Sequence, residues 1–500
     1  MTKKEKRPRR KKRVKKRTTL EKSLKPHWVW AIALGSAIGW GAFVQPVNWM
    51  SEAGPMGVII GFTIGAILMM LIAVSYGFLI RSFPVSGGEF AYSFISMGRT
   101  HAFISAWFLT LGYLGIVALN ASAFALMFKF VLPSIIEQLP MYTIAGWDVY
   151  GMEIIIATLV LVIFGFFNYR GTGLTGQIQF YFALVMVLTV VGVTFFTGIQ
   201  PGTGLSQVAP AFPENKTALA AILSIVAIAP WAFVGFDAVP QAAEEFDFPA
   251  RKAFMLIIFA ILFAAIIYIL MILATSMAAP WEETVAQNHL WGTAEVVQQS
   301  LGTAGLVFLV IALMMGIFTG LNGFIMATSR LLFSMSRARI LPAPFRKLHP
   351  KHQTPHVAII VTIALSAIAP WFGREALEWV VDMSSIGVSI AYFYTCLTAF
   401  KLFKWNQKDV YDPTKQEASP LKKSIAFIGM VASFIFVLLL LVPGSPAALG
   451  KESLITLVVW IILGILFYIV KQKEYNAMPE EELNFLILGS DEKIKGENDQ

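Results

Sequence analysis

Runs of about twenty apolar residues recur along almost the whole chain, and no other feature constrains its fold as strongly. A helix needs about 20 such residues to cross a bilayer, where each backbone polar group must be bonded within its own segment. Only 14% of the 500 residues are charged, whereas a soluble domain carries about 25%. The sequence therefore predicts an all-α integral membrane protein. We place about twelve transmembrane helices at 28–50, 56–80, 102–131, 151–168, 177–198, 218–243, 252–279, 303–335, 356–371, 378–403, 421–443 and 452–470.

The positions of the basic residues predict how these spans are oriented. Fourteen of the 39 Lys and Arg residues lie in residues 1–25. If that segment is cytoplasmic, twelve spans put 35 of the 39 on its side and leave Lys129, Lys216, Arg374 and Lys451 outside. Cytoplasmic loops are enriched in Lys and Arg. We therefore expect a multi-pass protein of the cell membrane with both termini in the cytoplasm. We also expect the polar, glycine-rich segment 82–101, between spans two and three, at the cytoplasmic surface.

The basic segment at the start of the chain has two interpretations. Blocks of Lys and Arg occur in nucleic-acid-binding and nuclear-targeting segments. Beside a membrane span, the same block favours a tail that lies on anionic lipid, to which each basic residue contributes about 1 kcal/mol. We therefore expect contact with membrane lipids and no nucleic-acid partner.

The sequence lacks the residue patterns that metal sites and enzyme active sites usually require. The single cysteine, Cys396, excludes an internal disulfide, and His349, His352 and His356 lie in a basic loop rather than in a span. No Ser-His-Asp or His-Glu-x-x-His arrangement falls in a span, although those patterns are what hydrolases and zinc proteases need. We predict no metal site, no cofactor and no enzymatic activity.

Spans one and six contain residues that interrupt a helix. Span one has three glycines in the seven residues from Gly35 to Gly41, and span six contains Pro230 and Gly235. Interrupted spans at corresponding positions of two five-span halves are typical of a transporter binding site. Free N–H groups at such a break suit a carboxylate, and free carbonyls suit an ammonium group or a cation. The alternative is that the glycines only allow close helix packing.

Four stretches, taken in order, carry a family resemblance. They are GSAIGWGAF at 35–43, FPVSGGEFAY at 83–92, FVGFD at 233–237 followed by AEE at 243–245 and PAR at 249–251, and SRL at 329–331 followed by LP at 341–342 and TP at 354–355. Over residues 28–470 the chain resembles permeases of the amino acid–polyamine–organocation (APC) superfamily. The resemblance implies a 5+5 inverted repeat with discontinuous helices 1 and 6, two peripheral helices, and alternating access around a midplane site.

The resemblance also assigns the substrate site to the unwound backbone of span one and an aromatic gate to Trp231. The candidate substrate-binding residues are Ala37, Ile38, Gly39, Trp40, Gly41, Tyr113, Trp231, Phe233 and Val234. Two features depart from the family pattern: Trp40 stands where relatives often have serine, and span five lacks the lysine that replaces a sodium ion in some relatives. The predicted divisions are a basic disordered cytoplasmic tail (1–26), a ten-helix transport core (27–403), a cytoplasmic loop (404–420), two peripheral transmembrane helices (421–471) and a polar cytoplasmic tail (472–500).

Asp237 is the candidate coupling residue. It lies inside span six with no basic residue nearby in sequence, and an ionisable side chain in the membrane is a functional candidate because burying it is costly. It would change protonation as the cavity opens to one side or the other, or pair with an amine substrate. The alternative is a permanently protonated aspartic acid that bonds a neighbouring helix.

Glu244 and Glu245 end span six close to Arg251 and Lys252 in sequence. We expect a solvated ion-pair cluster there, with a cytoplasmic gate as the alternative.

These observations together predict a secondary active transporter of amino acids or related amines. We expect proton-coupled symport or substrate exchange, with sodium as the other candidate ion. A transporter-like membrane sensor, which binds amino acids without carrying them, is the alternative from another class. The sequence leaves open the particular substrate and the coupling ion.

Overall fold

The structure, a computed structural model, describes residues 17–144, 147–373, 375–402, 420–445 and 447–489. For residues 375–378 it describes the helical backbone only. The first sixteen residues of the predicted tail, nearly all of the predicted loop 404–420, Arg374 and the chain after residue 489 lie outside the described residues.

The described chain is almost entirely helical, as the apolar runs predict. Its helices are α1 (Pro26–Ile38), α2 (Gly41–Val44), α3 (Pro46–Ser82), α4 (Gly88–Val131), α5 (Pro133–Ile136), α6 (Gly151–Arg170), α7 (Thr172–Gly198), α8 (Ala218–Ala227), α9 (Ala229–Ala232), α10 (Ala238–Gln241), α11 (Ala253–Ala278), α12 (Trp281–Ala286), α13 (Gly292–Arg337), α14 (His356–Ser366), α15 (Glu375–Leu402), α16 (Pro420–Leu441), α17 (Lys451–Asn476) and α18 (Glu480–Leu488). Short 3₁₀ turns cover Leu205–Val208, Ala243–Glu245, Ala250–Lys252, Ala343–Arg346 and Ala369–Phe372.

The long helices make the chain a multi-pass membrane protein. Within the part that the structure describes, nine helices are long and apolar enough to cross a bilayer: α3, α4, α6, α7, α11, α13, α15, α16 and α17. Two shorter apolar stretches, Ala218–Ala227 and His356–Phe372, accompany them. Large apolar side chains such as Leu188, Phe195 and Val470 are more than half exposed, as expected for surfaces that face lipid.

Within an extensive buried apolar core, small residues and paired indoles bring particular helices into close contact. A Cβ atom on Gly387 of α15 would lie 2.5 Å from the carbonyl oxygen of Phe108 in α4, so the two backbones touch. Helix α17 joins α4 through Trp107 and Trp460, each of which donates its indole N–H to the other's carbonyl at 3.1 and 3.2 Å. Close approach at small residues and bonds between helices are the expected associations in lipid.

Neutral amides fix α1 inside the bundle. Asn168 of α6 donates to Asn322 of α13 (3.1 Å), and Asn322 donates to Gln179 of α7 (2.7 Å). Gln179 in turn donates to the carbonyl of Ala31 in α1 (3.3 Å). This chain of amides crosses four helices without a charge.

A short hairpin is the only β structure in the described residues. Its strands, β1 (Pro140–Ile144) and β2 (Trp147–Tyr150), run antiparallel with Thr143 opposite Asp148. The ammonium group of Lys129 lies over the rings of Trp147 (4.1 Å) and Tyr150 (4.7 Å) and pairs with Glu153 at 2.7 Å. The hairpin therefore folds against the ends of α4 and α6.

The segment 82–101, which we expected at the cytoplasmic surface, is partly buried. Phe90, Ala91 and Tyr92 are fully buried, and so is Glu89. Gly87, with φ of +96°, turns the chain inward, and its missing side chain leaves room for Ser334 of α13. The exposed residues of the segment are Pro84, Thr100 and His101, so only its two ends match the expectation.

Candidate functional site

The first break lies where the glycines of span one predict it. Helix α1 ends at Ile38, Gly39 has φ of +50° and ψ of −143°, and α2 begins at Gly41. The N–H of Gly39 makes the last bond of α1, to Gly35. An L side chain rarely adopts the backbone conformation of Gly39, so the sequence folds into a break here rather than into a continuous helix.

The second break lies in span six and touches the first. Helix α8 ends at Ala227 and α9 ends at Ala232, and Gly235 has φ of +135° before α10 begins at Ala238. A Cβ atom on Gly235 would lie 2.5 Å from the backbone nitrogen of Ala37. The two interrupted segments therefore meet backbone to backbone in the interior.

One tyrosine joins the two breaks, and the sequence analysis missed it. The hydroxyl of Tyr268, in α11, lies 2.9 Å from the carbonyl oxygen of Ala37 and 2.7 Å from that of Ala232. A phenol has one hydrogen, so it donates to one of these carbonyls at a time. The available signal was a hydroxyl in the middle of an apolar span, whose other hydroxyl residues, Thr275 and Ser276, lie near its end.

The predicted aromatic and aliphatic site residues separate into two groups. Trp40 and Trp231 meet edge to face, with ring centroids 6.1 Å apart, directly over Gly41. Phe233 instead packs into a cluster with Phe62 (6.2 Å) and Tyr268 (5.7 Å). Ile38 and Val234 are also buried. The breaks thus bring together Ala37, Gly39, Trp40, Gly41 and Trp231.

Unpaired polar atoms surround the first break. Asn120 of α4 is 1% exposed, and its Oδ1 atom has no hydrogen-bond partner among the described residues. That oxygen lies 3.6 Å from where a Cβ atom of Gly39 would be. The Oγ of Ser36 and the indole N–H of Trp40 are buried and unpaired as well. Since buried polar groups normally find partners, these atoms are candidate contacts for a polar ligand, and Asn120 is a second candidate that the sequence analysis missed.

Asp237 is completely buried beside the second break. Its Oδ1 accepts a bond from the N–H of Gly235 at 2.7 Å, and its Oδ2 accepts one from the hydroxyl of Tyr113 at 2.8 Å. Tyr113, predicted to line the substrate site, is therefore a partner of the coupling candidate.

Comparison with known proteins decides the family. The family model described as amino acid permease matches residues 28–467. The chain belongs to the amino acid permease family. This permease resembles the branched-chain amino acid permease BcaP of Bacillus subtilis (strain 168), with 24% identity over 475 residues that cover 92% of this chain and 96% of the relative.

Two further relatives of the permease carry other substrates in their names. The methylthioribose transporter of the same Bacillus strain is 24% identical over 93% of this chain and 96% of its own length. The aromatic amino acid transport protein AroP of Escherichia coli (strain K12) is 24% identical over 92% and 97%. Relatives at this distance share the transporter family and the APC superfamily, while their named substrates differ.

The permease has a second polar region, which we call the ionic cluster: Arg17, Glu244, Glu245, Arg330 and Arg337. Arg330 donates to Glu245 at 2.8 Å, and both side chains are at most 2% exposed. Glu244 pairs with Arg337 at 2.8 Å and with Arg17 at 2.5 Å. We expected these glutamates in a solvated group near Arg251 and Lys252, and that expectation is wrong because the 3₁₀ turn at Ala243–Glu245 faces the end of α13.

The chain ends contribute to the ionic cluster. Arg17 also donates to the carbonyls of Leu486 (3.2 Å) and Ile487 (3.0 Å) in α18. The backbone N–H of Leu24 donates to the carbonyl of Glu245 at 2.8 Å. Residues 17–25, the last part of the predicted disordered tail, are therefore bonded to the bundle.

Opposing effects set the pKa of Glu244. Burial raises the pKa of this carboxyl, but the charges of Arg337 and Arg17 outweigh that effect and hold it below its ordinary value. The carboxylate of Glu244 is thus ionised throughout the neutral range.

Proposed function

We propose that this permease is a secondary active transporter that moves amino acids or related amines by alternating access. The proposal includes twelve spans, arranged as a 5+5 inverted repeat with two peripheral helices, in the cell membrane. It also places both termini and the ionic cluster on the cytoplasmic side. The family membership and the multi-pass architecture support it.

The contact between the two breaks is the observation that carries the proposal. Gly39 and Gly235 open the helices at one buried place, and Gly235 lies against the backbone of Ala37. Half-helix ends offer N–H groups and a partial positive charge to a substrate carboxylate. An amino acid fits such a site because it presents a carboxylate and an ammonium group a short distance apart.

The unpaired acceptors supply the other half of this recognition. The Oδ1 of Asn120 and the Oγ of Ser36 are buried beside the first break without partners. An ammonium group has three donors, so we assign its binding to Asn120 Oδ1 together with the free carbonyls of span one. Trp40 and Trp231 then bound the space for the side chain.

We further propose that transport is coupled to protons through Asp237. Its two oxygens accept bonds from Gly235 and Tyr113, and among the described residues no cation pairs with it. A carboxyl without a cation can lose and regain a proton as water reaches it. Because Asp237 bonds the same turn that forms the second break, its charge is tied to the conformation of that turn.

The test begins with a thermal-unfolding screen of the purified full chain against the twenty amino acids and common polyamines. A substrate that binds only the folded state raises the unfolding temperature, since it stabilises by RT ln(1 + [L]/Kd). The best compounds are then tested for radiolabelled uptake and counterflow into proteoliposomes, with proton and sodium ionophores applied separately. Asn120→Ala should weaken binding of the amine, while Asn484→Ala, at the other end of the chain in α18, is the matched control.

Three outcomes separate the alternatives. Uptake that collapses with a proton ionophore and not with a sodium ionophore supports the proposal in full. Uptake that needs sodium removes the proton-coupling part. Saturable binding with no uptake above protein-free vesicles would contradict transport and favour the sensor.

A further inference from the structure

A second carboxyl lies completely buried near Asp237, and the proposed mechanism does not use it. Glu89 is 0% exposed at the start of α4. Its Oε1 accepts a bond from the hydroxyl of Tyr76 at 2.8 Å, and its Oε2 accepts one from the amide of Gln241 at 2.5 Å. Gln241 ends the short helix α10 that Asp237 precedes. The two carboxyls, which we call the carboxyl pair, are thus bonded to the two ends of one turn.

Neither member of the carboxyl pair has a cation within 4.0 Å in the described parts of the chain. The cation that contacts the segment before Glu89 is Arg337, which donates to the carbonyl of Ser86 at 3.5 Å. Its charge is already matched by Glu244 at 2.8 Å.

Hydroxyl groups take the place of cations around the pair. The ring of Tyr76 packs against Tyr392 (6.1 Å) and Phe236 (5.3 Å), and Tyr392 stacks on Phe236 at 5.4 Å. Tyr392, from α15, lies close enough to interact electrostatically with both carboxyls. Tyr113 bonds Asp237 from α4. Tyr92, also from α4, lies close enough to interact electrostatically with Glu89. The groups that face the pair are therefore four tyrosines and one amide, from α3, α4, α10 and α15.

Two carboxylates cannot both stay ionised in such a place at moderate cost. Burying one unpaired ion costs several kcal/mol even after relaxation, and two like charges at close range disfavour each other further. The helix N-terminus at Gly88 favours a negative charge on Glu89, but by only about 0.3–1 kcal/mol, and about 2 kcal/mol at most. The pair therefore retains a proton.

We propose that Glu89 is a second coupling carboxyl that shares a proton with Asp237. The proton leaves one carboxyl as it binds the other, so that one carboxylate and one carboxylic acid are present before and after. A tyrosine hydroxyl that relays it gives up one proton and takes up another and ends unchanged. This inference rests on the proposed function and adds a second site to it.

The position of Glu89 gives the shared proton a direction. Asp237 bonds the break itself, through the N–H of Gly235. Glu89 follows Ser86, whose carbonyl is bonded by Ser334 (2.8 Å) and by Arg337 of the ionic cluster. Glu89 therefore lies between the break and the ionic cluster, so a proton on it is one step closer to that face of the protein.

The first test is infrared titration of the full-length protein in lipid, which needs no substrate. We expect the two protonated-carboxyl bands of wild type to disappear in two separate steps as the pH rises, with one proton held by the pair between the steps. Glu89→Gln should remove one band and move the midpoint of the other by about one pH unit or more, since coupled sites titrate as a pair. Asp382→Asn, which removes another carboxyl, bonded to Ser453 at 2.6 Å, is the control and should leave both bands.

The second test is transport in proteoliposomes, with a radiolabelled mixture of the twenty protein amino acids. Glu89→Gln should keep exchange close to the wild-type rate and reduce pH-gradient-driven accumulation by at least about tenfold, within the usual range of coupling between two ligands. Glu89→Asp should restore part of the accumulation. A purely structural glutamate would lower exchange and accumulation together.

The outcomes distinguish this inference from the proposed function. If Glu89→Gln leaves the midpoint of Asp237 and the pH profile of accumulation unchanged, the shared proton is wrong while proton coupling through Asp237 stands. If wild type accumulates nothing under a pH gradient, proton coupling fails for both residues. Should Glu89→Gln not fold, Tyr76→Phe keeps both carboxyls and removes one bond, so it must move a midpoint by about one pH unit; an unmoved midpoint contradicts the proposal.

Discussion

The carboxyl pair and the ionic cluster hold buried acids in opposite ways. Asp237 lies within the interrupted span six, and Glu244 lies seven residues later, just beyond the end of that span. Glu244 and Glu245 are bonded by three arginines at 2.5–2.8 Å, whereas Asp237 and Glu89 are bonded only by hydroxyl and amide groups. The first arrangement pairs each acid with a cation, and the second is the one that we propose binds and releases a proton.

The difference indicates that the ionic cluster is suited to a change of conformation and the carboxyl pair to a change of protonation. Ion pairs with good geometry break only as a unit, because a single remaining charge would be buried alone. A carboxyl bonded only to neutral groups changes between its protonated and its ionised form at a lower cost in free energy, because it leaves no unpaired cation behind. A transport cycle of the proposed kind needs both. It needs ion pairs that break completely when the conformation changes, and it needs a carboxyl that changes its protonation state.

The largest effect should come from breaking the ionic cluster on one side only. Arg330→Met leaves Glu245 buried without its cation, and we expect a loss of about 3–5 kcal/mol of stability. Thermal unfolding of the purified protein in detergent measures it. Adding Glu245→Leu to the same protein should recover most of the loss, and a double variant as unstable as the single one would show that packing rather than charge is responsible.

The second largest effect should come from a bulky side chain at the first break. Such a side chain covers the backbone that faces the proposed substrate site and leaves every charge in place. A Cβ atom on Gly41 would lie 2.8 Å from the ring of Trp231, and overpacking of this kind costs about 1–3 kcal/mol. We expect Gly41→Leu, and likewise Gly39→Leu, to abolish counterflow while membrane insertion continues. Gly192→Leu is the matched control, since nothing lies within 4 Å of its Cβ position. Normal transport by Gly41→Leu would show that the break is only a packing feature.

Neutralising Asp237 should alter coupling far more than stability. Asp237→Asn keeps the shape of the protonated acid, so we expect a stability change below about 1 kcal/mol together with retained exchange and lost pH-dependent accumulation. The exposed residue Asp247 supplies the control, Asp247→Asn. A wild-type pH profile in Asp237→Asn would place coupling elsewhere and weaken the contrast between the two regions.

A smaller effect is expected where side chains border the substrate. Trp40→Ser removes the ring that meets Trp231 at 6.1 Å. We expect uptake to shift toward phenylalanine over alanine by about tenfold, the usual size of discrimination in an apolar pocket. Competition against a labelled substrate measures the shift, and identical profiles would show that Trp40 points away from the substrate.

The smallest effect should be the change with pH, across the neutral range, in the stability that Glu244 contributes through the ionic cluster. Since the pKa of Glu244 lies below its ordinary value, its contribution to stability is fully present above about pH 4.3 and is lost only as pH falls through the lowered pKa. Thermal unfolding of wild type and Glu244→Gln should therefore differ by a constant amount between about pH 5 and 8. A difference that changes across this window would mean that the cluster, too, titrates.

Composition and local residue types were enough to predict the helical class and the places of the breaks. Runs of apolar residues have few alternatives in lipid, and Gly39 and Gly235 adopt the backbone conformations for which glycine is suited. The resemblance also predicted the family, which the comparisons confirm.

Partners that come from distant spans could not be predicted in the same way. Tyr268 and Asn120 are ordinary residues of apolar spans until folding places them beside Ala37 and Gly39. Glu89 was expected in a surface segment because its neighbours are polar and glycine-rich, and only the inward turn at Gly87 buries it. Glu245 finds Arg330, 85 residues away, instead of the nearer Arg251.

Arg17 links residues near the two ends of the described chain, and these residues can therefore report on movement of the ionic cluster. One guanidinium group joins residues near the start of the described chain to Glu244 and to the last turn of α18. A motion that separates Arg17 from Glu244 or from α18 therefore breaks this junction, and a fluorescent label on α18 would sense it. Truncation back to residue 16 spares this junction, while removal through residue 20 also deletes Arg17 and buried Leu20, so only the shorter deletion isolates the effect of the basic tail.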